Sequence, residues 1–188
     1  MFMKEMTINI GFDFDETLHF NFKPTLLLNL FKLYYLNNCK MFIITKNQQW
    51  SEKKYHPGLI DQSFNSYNKA LITKIHLWLE HYCKLPGIAA NCVVIGVPHT
   101  HGKGKIIVDN KIQAFFDDYD VFLNAITRYL KAKKYYKIML YKISEKKKDN
   151  GRIEGIYFNG HHYSYTREKK YMSNSYKNLI PPRDFFVS

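Results

Sequence analysis

The sequence predicts an α/β fold, a three-layer sandwich with a parallel sheet at its centre, and three observations lead there. Apolar runs of strand length alternate with longer runs of helical period through the first 143 residues, the pattern of a sheet covered by helices. Strand-like runs lead into acidic or hydroxyl residues, at Asp13, Thr45 and Asp117, and open parallel sheets bind their ligands at that end. The length of 188 residues, 46% apolar and 16% aromatic, suits one domain with a full core rich in Phe and Tyr and excludes a chain disordered throughout.

Taken in order, Thr7–Asp13 reads as the first strand. Pro24 stands where a first helical position belongs, ahead of "TLLLNLFKLYYLNN", whose leucines and aromatics recur at helical spacing. Lys40–Ile44 is the second strand. The polar stretch Lys46–Phe64, with its Pro-Gly, reads as a long loop carrying Trp50 and Tyr55. "YNKALITKIHLWLEHYCK" is the second helix, with Ile75, Leu79 and Tyr82 near one face and Pro86-Gly87 closing it. Strands follow at Cys92–Gly96 and Ile112–Phe116. The helix "DYDVFLNAITRYLKAKK" then carries acids in its first turn and lysines in its last, which suits the helix dipole, and Lys137–Ile143 is the fifth strand. Residues 1–143 are thus expected to form the main domain and 144–188 a basic extension, with a hairpin of Arg152–Phe158 and His161–Arg167 about the turn signal Asn159-Gly160.

The net charge of +12 is uneven. Before position 131 there are 14 Lys/Arg against 11 Asp/Glu, and from there on 14 against 5, so the basic character belongs to the last third. Such a surface attracts phosphates, nucleic acid, acidic proteins or anionic lipid. Three widely spaced cysteines suggest neither a disulfide framework nor a zinc knuckle. With neither a membrane-length apolar run nor a signal-peptide pattern at the N-terminus, a soluble chain made in the cytoplasm is expected.

At the carboxyl edge of the sheet the first strand delivers Asp13, with Asp15 and Thr17 just beyond; the second delivers Thr45, and the fourth Asp117 and Asp118. Carboxylates gathered on one edge repel each other, and a cation is the simplest way to keep them ionised. Oxygen ligands with few other donors point to magnesium, which takes one or two carboxylates together with water and phosphate. Lys103 or Lys105, from "HTHGKGK", would then neutralise a phosphate to which Thr45 donates a hydrogen bond. The same stretch is not a P-loop, since five rather than four residues separate Gly96 from Gly102 and Gly104 follows the lysine.

"FDFDETL" resembles the first motif of the haloacid dehalogenase superfamily, D-x-D-x-T at the end of the first strand. "MFIITKN" resembles its second motif, the lysine of "GKGK" its third and "AFFDD" its fourth, so four pieces stand in the family's order between Thr7 and Asp118. The resemblance implies a Rossmann-like sandwich and a phosphatase. Asp13 would be the nucleophile that becomes an aspartyl phosphate, and Asp15 the acid toward the leaving group and then the base for water. Thr45 and Lys103, or Lys105 in its place, would hold the phosphoryl oxygens. Magnesium would be held by Asp13, the main chain at Asp15, and Asp117 or Asp118.

Members of this family select substrates with a cap inserted after motif one or two. Here 27 residues separate Thr17 from Thr45 and 57 separate Thr45 from Lys103, too few for a large cap. By resemblance, capless members act on macromolecules, and the phosphoprotein phosphatases among them carry a similar D-x-D-E-T-L string. A protein phosphatase is therefore expected, with phosphotyrosine favoured because Trp50 and Tyr55 of the Lys46–Phe64 loop could pack against an aromatic ester, and it would also suit an effector delivered into a host without a cleavable signal. The alternatives are a phosphatase of polynucleotide 3′ ends or nucleotides, helped by the basic tail, and an inactive binding module.

Overall fold

A chain that alternates buried strands with helices must cover both faces of its sheet, and the parallel strands here send side chains into two opposite hydrophobic layers. The computed structural model describes residues 8–25, 27–46, 60–98, 102–135, 138–145, 153–159 and 169–170. The first strand is β1 (Asn9–Phe12). After it come β2 (His19–Phe20), β3 (Lys23–Pro24), α1 (Leu27–Leu36), β4 (Lys40–Lys46), α2 (Ile60–Cys83), α3 (Ile88–Asn91) and β5 (Cys92–Val97). The remaining elements are α4 (Gly102–Asp109), β6 (Ala114–Asp117), α5 (Asp120–Ala132), β7 (Met139–Glu145), β8 (Ile153–Asn159) and β9 (Lys169–Lys170).

The main sheet runs β5-β4-β1-β6-β7-β8-β9; its first five strands are parallel, and β8 and β9 add to it antiparallel. Ile10, Phe12, Met41, Ile43 and Phe116 enter the layer shared with α1 and α2, whereas Phe42, Ile44 and Phe115 enter the one shared with α4 and α5. Each such side chain, fully buried, contributes about 1.5 to 3 kcal/mol. Rings of Phe12, Phe116 and Tyr141 stack across β1, β6 and β7, with centroids 4.6 and 4.4 Å apart, and pin these three strands in register.

Several boundaries differ from expectation. Pro24 lies in β3 rather than at the start of a helix; His19–Phe20 and Lys23–Pro24 form a two-stranded hairpin, and α1 begins at Leu27. Proline tolerates an edge strand, and Thr25 ties the hairpin back by donating its hydroxyl to the Thr17 carbonyl at 2.6 Å. Helix α2 starts at Ile60, so Ile60–Phe64 are helical rather than loop: no Pro or Gly interrupts residues 60–83, and polar residues alone do not stop a helix. The rest of the expected loop, with Trp50 and Tyr55, lies outside the described residues. Strand β6 begins at Ala114 and includes Asp117. Strand β8 pairs with β7 and with β9; the expected partner His161–Arg167 and the chain beyond Lys170 lie outside the described residues.

Along the outer side of β5, two α2 side chains reach the strand's backbone. Asn68 Oδ1 accepts from Gly96 N–H at 3.1 Å, and His76 Nε2 donates to the Cys92 carbonyl at 3.3 Å. Among the described residues no helix is long and apolar enough to cross a membrane.

Candidate active site

Three neighbouring parallel strands end side by side and bring their last residues together. The Asp13 N–H donates to the Phe116 carbonyl at 2.7 Å, which continues the β1–β6 ladder and fixes Asp13 beside the end of β6. There Asp117 is the last strand residue and Asp118 the next. Thr45, buried near the end of β4, stands on the other side of β1.

Lys103 enters from the first turn of α4 and is wholly buried. Its ammonium donates to Asp13 Oδ1 at 2.8 Å and to Asp117 Oδ2 at 2.6 Å, and lies 4.1 Å from the centre of the Phe122 ring. The residue after it explains how α4 comes so close. A Cβ on Gly104 would meet Cβ of Tyr129 on α5 at 2.8 Å, so glycine lets the two helices touch at the lysine's level.

One ammonium does not balance three carboxylates. Burial pushes the Asp13 carboxyl well above the ordinary range even though Lys103 pulls it down. Burial, and then the Asp117 charge, push Asp118 up to about 6. Burial disfavours the Lys103 ammonium, but Asp13 and Asp117 outweigh it and hold it above the usual lysine range. The cluster therefore takes up positive charge readily. Asp13, Asp117 and Asp118 each offer a carboxylate oxygen, all within 4.8 Å of one another, an arrangement that fits a hard divalent cation. Thr17 helps hold it, donating its hydroxyl to Asp118 Oδ1 at 3.1 Å. From β7, Lys142 donates to the Asp118 carbonyl and lies 3.3 Å from Asp120 Oδ1.

Above the cluster opens a cleft of about 680 Å³ lined by Asp13, Asp15, His19, Thr45, Lys46 and Asp118, with Phe20, Phe22, Tyr119, Val121 and Phe122 at its sides. Of the five exposed large apolar side chains among the described residues, three (Phe22, Tyr119 and Val121) line this cleft, so apolar exposure is concentrated at its mouth.

The structure thus brings Asp13, Asp15, Thr45 and Asp118 to one cleft, with Lys103 and Asp117 packed against Asp13. It does not bring Lys105 there. That side chain is exposed and paired with Asp109 on its own helix, so of the two candidate lysines the geometry selects Lys103. The Asp15 side chain lies outside the three-carboxylate cluster, with Oδ1 3.0 Å from His19 Nε2. Nothing local in the sequence singles out Lys142 or gives Thr17 a task, and the one signal for His19 is its place four residues after Asp15. Compared with known proteins, the chain matches no family model, no curated protein and no solved structure.

Proposed function

We propose that this chain is a magnesium-dependent phosphomonoester hydrolase working through an aspartyl phosphate on Asp13, with phosphotyrosine in protein as its preferred substrate. One observation carries the reading: a buried Asp13, charge-paired to Lys103 beside Asp117 and Asp118, on the wall of an open cleft that also holds Asp15 and Thr45. The resemblance to haloacid dehalogenase phosphatases assigns these same residues the same tasks.

A carboxylate oxygen of Asp13 attacks phosphorus and the ester oxygen leaves, taking a proton from Asp15. Asp15, now ionised, accepts a proton from water as that water attacks the aspartyl phosphate, and inorganic phosphate leaves with Asp13 restored. Thr45 donates to a phosphoryl oxygen, and Lys103 favours the ionised form of Asp13 against the effect of burial while offsetting incoming negative charge. Asp13, Asp117 and Asp118 would hold magnesium, which supplies Lewis-acid neutralisation of the phosphoryl charge. The apolar mouth supports an aryl ester, since a tyrosyl ring entering between Phe22 and Tyr119 would bury surface that an alkyl ester leaves wet.

The basic last third supports a second reading, a phosphatase of nucleic-acid ends. One panel separates the two: kcat/KM for a phosphotyrosine peptide, a phosphoserine peptide, a 3′-phosphorylated oligonucleotide and a nucleoside monophosphate, with magnesium, at two salt concentrations. Preference for the phosphotyrosine peptide is expected. Preference for the oligonucleotide that collapses with salt would establish the second reading, and hydrolysis of none would leave a binding module.

A further inference from the structure

Resting on that reading, we propose that His19 is a positioning residue for Asp15, held by a strained turn so that its Nε2–H fixes one oxygen of the proton-transferring carboxylate.

The β2–β3 hairpin turns through Asn21 and Phe22, both with left-handed backbone (φ 49° and 61°). Two-residue turns of this kind ask for positive φ at both positions and favour Asn-Gly; a phenylalanine at the second is an outlier that persists only where its surroundings hold it. Four contacts, one of them the Lys74 ammonium 4.8 Å from the ring centre, hold Phe22, and two of them end on His19. Its N–H donates to His19 Nδ1 at 3.3 Å, and its ring stacks on the imidazole with centroids 5.6 Å apart and planes 5° from parallel. Its carbonyl accepts from Trp78 Nε1 at 3.1 Å, which anchors the turn to α2. The Phe14 ring closes on the imidazole edge-on, 4.4 Å between centroids.

This arrangement fixes the tautomer. A ring nitrogen that accepts from Phe22 N–H carries no hydrogen, so the hydrogen sits on Nε2, which donates to Asp15 Oδ1 at 3.0 Å. The chain of contacts runs from helix α2 through Trp78, Phe22 and His19 to a half-exposed carboxylate that the backbone alone would leave free to turn. With Oδ1 held, Oδ2 is the oxygen left to exchange a proton with the leaving group and with water. A histidine serving only as core filling would gain nothing from a turn that strains a phenylalanine to aim its Nε2 at the cleft.

The test uses the full chain with magnesium and compares phenyl phosphate, a poor leaving group that needs a proton, with p-nitrophenyl phosphate, which departs without one. His19→Phe keeps an aromatic ring and removes both nitrogens. We expect it to lower kcat on phenyl phosphate by about tenfold or more, with KM unchanged and a much smaller loss on p-nitrophenyl phosphate. His19→Gln, whose amide can donate to Asp15, should recover most of that loss. In the unsubstituted protein, long-range 1H–15N spectra should show Nε2 protonated and Nδ1 bare. Equal losses on both substrates, no recovery in His19→Gln, or a hydrogen on Nδ1 would overturn the role. An active unsubstituted protein with unimpaired His19→Phe sinks this role alone, whereas hydrolysis of neither ester by the unsubstituted protein sinks the phosphatase reading beneath it.

Discussion

Lys103 Nζ lies 2.8 Å from Asp13 Oδ1, a contact between a fully buried ammonium and a carboxylate only 7% exposed. Breaking such a pair from one side leaves charge without compensation, which costs about 3 to 5 kcal/mol. Lys103→Met should therefore lower stability by that order in urea unfolding and remove turnover of aryl phosphate. Lys105→Ala, two residues along and exposed, should leave melting temperature and turnover as they were. A catalytic loss in Lys105→Ala with Lys103→Met still active would reverse the assignment.

Asp13→Asn keeps the shape of the side chain and replaces the carboxylate proposed to attack phosphorus with an amide. Turnover should fall about 10³-fold or more, with no phosphoenzyme trapped on acid quench. Because burial already raises Asp13 above its ordinary range and Lys103 keeps Asp117 as a partner, the amide should cost the metal-free protein less stability than Lys103→Met does. Undiminished turnover in this variant would remove Asp13 from the mechanism.

Asp118 gives the metal-free protein a pH dependence of definite sign. Its carboxyl rises from 3.8 to about 6 on folding, so the native state holds the proton more tightly than the unfolded one. The stability this provides is complete below 3.8 and is lost as pH rises through about 6; Asp13, raised too, acts in the same direction. In EDTA the melting temperature should fall across that window. Millimolar magnesium should restore it on the alkaline side, since a cation held by the three carboxylates binds only the folded state. Melting curves with no magnesium effect at any pH would argue against a metal at this cluster.

Gly104→Ala introduces a methyl 2.8 Å from the Tyr129 Cβ, a contact that no rotation of the tyrosine ring relieves. Helices α4 and α5 must part, at a cost of about 1 to 3 kcal/mol. Lys103 moves with α4, so kcat on aryl phosphate should fall further than the loss of folded protein explains. The check is kcat per folded molecule, measured below the melting transition.

Much of the site is readable in the sequence where a chemical requirement is local. Two aspartates at the end of an apolar strand, and another acidic pair after "AFF", announce themselves without a third dimension. The choice between Lys103 and Lys105 is not local: residues two apart on a helix point about 200° from each other, and only the docking of α4 against α5 decides which faces the sheet. His19 is less legible still, because its partners Phe22 and Trp78 meet it through a turn whose strain no propensity favours. The start of α2 was hidden for another reason. Polar composition suggested a loop at Ile60–Phe64, but the absence of Pro and Gly through residue 83 was the better guide.

The bonds from Asn68 and His76 to β5 have a further consequence for how copies of the chain meet. Eight helical residues span about 12 Å and four strand residues about 13 Å, so the two side chains match Gly96 and Cys92 like rungs cut to length. A foreign strand seeking to extend the sheet beyond β5 would have to strip both rungs away before its own backbone could bind. Helix α2 thus serves as a guard against fibre-like self-association at one margin of the sheet, while β8 and β9 continue it at the other.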